Sequence, residues 1–364
     1  MTDSGPPEET SDSSDPIANG RPGTLLHPDV VDPDAELSSP QAALEPPEPA
    51  RPGLRTFSLE HRIAPGLYLV AWLACLLGGG LLIVSVLTSS STGRTIMLLG
   101  ALVLLSLGLT VGAGQQALER RARGWTGYGG PSPFLVFAAA VPTSLLLSVL
   151  AAFVLSLLSI DFSSAAGIVA ASLATAIPFV GLVRLLVVGT GALTWRELGF
   201  LPRDAETARG ILAAVLWGVA IVFGTVLLAT ILSTVLPIAP SPLPLGRTAP
   251  ERIAALFVLV ILAPVSEEIF FRGFATTAWA RTMPRRAAIL RSGLFFAFIH
   301  VLTISGAATF QQGLGFAAFA FLGRIPVSIA LAAIFLRRGS IYESFALHAT
   351  FNGLPIVLLL IANP

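Results

Sequence analysis

Lysine is absent from this 364-residue chain, so all 22 of its basic residues are arginine. Charge is scarce in both signs: charged residues make up 12% of the chain and the formal net charge is +1. Bulk electrostatics of that kind exclude nucleic acid as a partner. The single cysteine, Cys75, excludes an intrachain disulfide and a cysteine-cluster metal site. Histidine is also rare, with four in all. What fills the chain is apolar: 54% of residues are hydrophobic and the mean hydropathy is +0.80. These values describe a polytopic membrane protein and exclude a soluble globule.

Residues 1–60 are rich in Pro, Ser, Asp and Glu and show no apolar period. Such a segment buries too little apolar surface to offset chain entropy, so a disordered acidic tail is expected. The first apolar stretch begins near Pro65 and is too long for the h-region of a signal peptide, so a retained span is expected there. Further apolar runs follow at 95–113, 133–158, 165–189, 209–236, 252–271, 288–306, 313–336 and 342–361 after the first at 65–87. Each is near the ~20 residues that cross a hydrocarbon core. Gly, Gln and Arg interrupt the pattern between His300 and Phe335, which leaves eight to ten spans open.

The arginines decide the number and the orientation. Arg51, Arg55 and Arg62 precede the first span, and Arg120, Arg121 and Arg123 follow the second. Arg196, Arg203 and Arg209 follow the fourth; Arg281, Arg285, Arg286 and Arg291 follow the sixth; Arg337 and Arg338 follow the eighth. The intervening loops carry only Arg94, and Arg247 with Arg252. This alternation needs nine spans and puts the N-terminus and the arginine-rich loops in the cytoplasm. The expected fold is therefore all-α, a polytopic transmembrane helix bundle in three regions: the tail 1–60, N-terminal transmembrane helices over 61–245, and a C-terminal core over 250–360. The segment Thr194–Phe200 reads as a short interfacial piece anchored by Trp195.

Against this apolar background Glu267 and Glu268 stand out, because an ionisable side chain in hydrocarbon costs at least ~2.5–3.5 kcal/mol. Glu268 and Arg272 are four apart on a helix and can pair, while Glu267 is turned about 100° away and left for another task. Two of the four histidines, His300 and His348, also lie in apolar spans, and His348 shares a helix face with Asn352. With Arg272 marking the cytoplasmic end of its span, Glu268 would lie roughly 6 Å deep. On the same scale His348 would lie about 9 Å deep below Tyr342, and His300 about 14 Å below Arg291. Three spans thus bring Glu267, Glu268, His300, His348 and Asn352 to a comparable level. Glu268 with Arg272 taken alone reads as a structural ion pair, and Asn352 alone as interhelical glue.

A Glu with two His residues supports two chemistries. In one, Glu267, His300 and His348 ligate a divalent metal such as zinc, which acidifies a bound water. In the other, no cofactor is needed: Glu267 and one His act as general base on water while the second His and Asn352 donate to the developing oxyanion. The HExxH pattern of zincins is absent.

Glu267-Glu268-x-x-x-Arg272, then Phe296-x-x-x-His300, then His348-x-x-x-Asn352 resemble the ordered motifs of the CPBP (CAAX protease and bacteriocin-processing) intramembrane endopeptidases, the group that includes the CAAX-prenyl endopeptidase. The resemblance covers about 250–355. It implies an intramembrane peptidase, glutamic or metallo in type, that cuts a membrane-associated or lipidated protein or peptide near the cytoplasmic face. By the same resemblance Glu267 with His300 would activate water, His348 with Asn352 would form the oxyanion site, and Glu268 with Arg272 would hold the site in shape. The expected setting is the lipid bilayer of a bacterial plasma membrane. A proton-coupled transporter would instead space its ionisable groups through the bilayer, and a catalytically silent scaffold or bacteriocin self-immunity protein of the same family would keep the bundle without the chemistry.

Overall fold

The computed structural model describes residues 59–201, 204–236, 246–304 and 306–362. The expected disordered tail, with Arg51, Arg55 and His27, lies outside the described residues except for Leu59 and Glu60, as does Arg203.

Every regular element among the described residues is helical. Nine helices among them are long and apolar enough to cross a membrane: α1 (Pro65–Leu87), α2 (Ser91–Ala122), α3 (Pro133–Leu157), α4 (Ala165–Val188), α5 (Ala205–Val235), α6 (Ala249–Ala280), α7 (Arg285–Thr303), α8 (Phe310–Arg338) and α9 (Ile341–Ala362). The protein is an integral membrane protein built on the nine spans that the arginine alternation requires. Helix starts follow the local chemistry. Ser90, Ser164, Asp204 and Thr309 each accept a backbone N–H of the first turn, and Thr248 with Glu251 forms a reciprocal capping box. Gly339, at φ 68°, ends α8 in the left-handed conformation.

The α1–α2 seam is made of small residues, which allow close approach where lipid offers no hydrophobic drive to association. A Cβ at Gly108 would stand 2.8 Å from the Cys75 sulfur and 2.9 Å from the Ala71 carbonyl. α1 to α4 pack in chain order, and α5 lies against α8 and α9. α6 is the central helix. It touches α4, α7, α8 and α9, and 39% of its most apolar window is buried, against 17–33% in the other eight spans.

α6 also departs from the sequence expectation. The span expected over 252–271 runs on to Ala280, and Arg272 is 0% exposed rather than marking the end. Glu268 therefore lies twelve residues before the end of α6, roughly 18 Å along the axis, near mid-helix rather than shallow. Sequence reasoning takes an arginine in an apolar run for a boundary; here it is held inside by a counter-charge and an aromatic face.

The segment between α4 and α5 is a strap across the arginine-rich end rather than a free interfacial piece. Glu197 accepts from Arg281 at the end of α6 at 2.5 Å and from the Thr194 backbone at 2.7 Å. Partial burial pushes the Glu197 carboxyl up, but these donors outweigh it and hold the group below its usual range. Leu198 is fully buried, with its carbonyl against Gly273 of α6. The Gly199 carbonyl accepts from the first amide of α9 at 3.0 Å. Gly199 has φ 91°, and a Cβ there would stand 2.8 Å from the Phe335 ring. Gly199→Ala is expected to cost about 1–3 kcal/mol, read as a lowered melting point of the solubilised protein.

Candidate active site

The middle of α6 is not a regular α-helix. A short α segment, Ala263–Glu267, lies between two π-helical stretches, Val258–Leu262 and Glu268–Thr276. Such widened turns interrupt helices mainly at functional positions. The first leaves the Leu259 carbonyl to accept from Asn352 Nδ2 of α9 at 2.9 Å. The second is braced by Thr276, whose hydroxyl donates to the Phe271 carbonyl five residues back and meets Ser292 of α7 at 2.6 Å.

Glu268 opens the second widened stretch and is 1% exposed. One carboxylate oxygen accepts from His348 Nδ1 at 2.8 Å and lies 3.2 Å from Arg272. The other accepts a short hydrogen bond from the Ser344 hydroxyl. Two hydrogen-bond donors and an ion pair therefore satisfy a buried anion that would otherwise be prohibitively costly. Arg272 lies with its guanidinium carbon 4.0 Å above the centroid of the Phe296 ring, a cation–π contact in a water-poor setting.

Glu267 differs from its neighbour in nearly every respect. Its side chain is 27% exposed, and its one close polar contact is His348 Nε2 at 3.5 Å. His348 thus stands between the two adjacent carboxylates, with one ring nitrogen on each. The contact with Glu268 requires Nδ1–H, which leaves Nε2 as the nitrogen that faces Glu267. The Nε2 lone pair and the Glu267 carboxylate can together hold a proton taken up at the site. Glu267 and His348 are in that sense a proton-sharing pair oriented by Glu268.

His300 occupies the last turn of α7, where the α-helix has just given way to a 3₁₀ turn. Its Nδ1 donates to the Phe296 carbonyl at 2.8 Å, which leaves Nε2 as a basic nitrogen. The ring stands edge-on to Phe296 at 4.8 Å, and His348 does the same at 5.6 Å. Phe296 is therefore shared by both histidines and Arg272. No hydrogen bond or ion pair joins Glu267 to His300 among the described residues; the direct partner of Glu267 is His348. Arg324 of α8 lies within electrostatic reach of Glu267 and of His300.

The expected residues thus converge, with a different wiring. Glu267, Glu268, Arg272 and His348 form one connected unit, His300 joins it only through the shared Phe296 ring, and Asn352 ties α9 to α6. Sequence reasoning missed Ser344, although it lies four residues before His348 and eight before Asn352 on the same face of α9. Among the described residues, no three His, Cys, Asp or Glu side chains converge as metal ligands do, and His348 has both nitrogens turned to carboxylates. The set as arranged does not fit a metal.

Residues 249–354 match the family described as Rce1-like, Type II CAAX prenyl endopeptidase. The match begins at the start of α6 and ends in α9, so it takes in every residue of this cluster and leaves α1 to α5 outside. No curated protein and no solved structure matches the chain.

Proposed function

We propose, on the premise that residues 249–354 belong to the CAAX prenyl endopeptidase family, that this protein is an intramembrane peptidase that hydrolyses a peptide bond of a membrane-associated or lipidated substrate. α1 to α5 serve as its membrane scaffold and α6 to α9 as its catalytic core. The observation that carries the reading is His348 held between two adjacent carboxylates, one closed off and one open.

In this reading Glu267 takes a proton from a water, and the resulting hydroxide adds to the scissile carbonyl carbon. The tetrahedral oxyanion is met by a donor or cation near Glu267, with Arg324 and Asn352 as candidates. When the C–N bond breaks, the proton held by Glu267 and His348 goes to the leaving amine, so water is divided between the two products. Glu268 takes no proton. It fixes the His348 tautomer and keeps the ring facing Glu267.

The test is peptide mapping in proteoliposomes. Wild-type protein is incubated with peptides bearing C-terminal tails, lipidated and unlipidated, and new termini are read by mass spectrometry. Defined cleavage that disappears in His348→Ala is expected; products that are the same with both proteins, or absent from both across the panel, overturn the reading. A parallel arm with chelator distinguishes water activated by Glu267 from water activated on a metal.

A further inference from the structure

The loop between α2 and α3 lines an open cavity, about 690 Å³ in volume, at the arginine-rich end of the bundle. It is separate from the glutamates: its α6 wall includes Trp279, eleven residues beyond Glu268, or roughly 16 Å along the axis. The size is that of a small-molecule site. Its walls carry Arg120, Arg281 and Arg291 and no carboxylate.

The three guanidinium groups are unequally committed. Arg281 is paired with Glu197 at 2.5 Å. Arg120 gives one N–H to the Gly130 carbonyl at 2.8 Å and lies 5.4 Å over the Trp125 ring. Arg291 is stacked on two rings, Phe134 at 5.3 Å and Trp279 at 5.4 Å. Among the described residues no hydrogen-bond acceptor or carboxylate meets it. Tyr128 lines the same cavity at 2% exposure, and its buried hydroxyl has no hydrogen-bond partner. Burial pushes this phenol above its ordinary range, against the pull of Arg120, Arg281 and Arg121, so it remains a neutral donor. An uncompensated cation over two aromatic rings and a second guanidinium with N–H groups to spare, on walls that carry no carboxylate, make a site that lacks its anion.

We propose that this cavity binds a phosphate-bearing anion, supplied in the membrane by an anionic phospholipid headgroup, with Arg291 and Arg120 on the phosphate oxygens. The guanidinium fork matches phosphate geometry better than an ammonium does. The rim favours a lipid: Trp125 is 57% and Phe134 42% exposed, the amphipathic and apolar rings expected at headgroup level. Basic pockets between helices on the positively charged face are where such headgroups bind. This inference stands apart from the proposed hydrolysis and does not need it.

The experiment places the full chain in nanodiscs of phosphatidylcholine with a minority of phosphatidylglycerol, then counts the lipids that stay bound in native mass spectrometry. Wild type is expected to retain phosphatidylglycerol over phosphatidylcholine. Arg291→Gln should retain about tenfold less, the effect of losing one charge-assisted hydrogen bond. Arg285→Gln, on the same helix but outside the cavity, should retain as much as wild type. Arg120→Gln, at the second guanidinium of the cavity, should lower retention by roughly threefold to tenfold. In discs of phosphatidylcholine alone, glycerol phosphate is titrated while Trp125 and Trp279 fluorescence is followed. A response that Arg291→Gln abolishes assigns the same cavity to a soluble phosphate source. Equal retention of both lipids by wild type with no fluorescence response, or retention unchanged in both cavity variants, overturns the proposal.

Discussion

Glu267→Gln is expected to insert, fold and melt as wild type does while its peptide hydrolysis falls by about 10²–10⁴-fold, the usual worth of a positioned general base. The two halves of that expectation come from different features. Glutamine keeps the volume and removes the basic oxygen that faces His348 Nε2 at 3.5 Å. The fold does not depend on that oxygen, because Glu267 is 27% exposed and makes no other close polar contact among the described residues. The change in stability should therefore stay within the ±0.5 kcal/mol of an ordinary substitution. A higher melting point would also fit, since the variant takes an ionisable group out of hydrocarbon. The measurement is initial rate and thermal midpoint on the same purified protein. A variant that keeps half of the wild-type rate removes Glu267 from the chemistry.

The contrast between Glu267 and its neighbour is where sequence reasoning reached furthest and also where it stopped. Composition and arginine alternation give nine helices, and the structure has nine among its described residues, because hydrocarbon thickness and charge bias act on the sequence directly. The pairing of Glu268 with Arg272 was legible from i,i+4 spacing. The depth of the pair was not, since no local pattern tells a boundary arginine from one stacked on an aromatic ring of another helix. The partner of Glu267 was not legible either. Helical-wheel geometry assumes 3.6 residues per turn, and α6 widens into a π-helix at Glu268. There, both carboxylates reach one histidine. Ser344 could have been found from its place four residues before His348, but only after Glu268 was known to need a second hydrogen-bond donor.

Glu268→Gln is the variant expected to damage the molecule most. It removes the counter-charge of Arg272, which is 0% exposed, and no other carboxylate stands within ion-pair distance of that guanidinium among the described residues. An uncompensated buried charge costs about 3–5 kcal/mol, so the variant should melt far below wild type and lose activity as well. Ser344→Ala deletes one donor to the same carboxylate and should cost only about 1–3 kcal/mol. The decisive protein is the double variant Glu268→Gln with Arg272→Met. Removing both charges at once leaves no orphan, and methionine still fills the space over Phe296. Much of the lost stability should return, a coupling that a double-mutant cycle measures directly. Activity should not return with it. The amide that replaces the Glu268 carboxylate can face His348 with either its oxygen or its nitrogen, so Nδ1–H is no longer enforced and Nε2 is no longer held towards Glu267. A double variant as stable as wild type but slower by about 10²-fold or more would establish Glu268 as a positioning residue. Recovery of both properties together would make the ion pair structural and detach it from the work of His348.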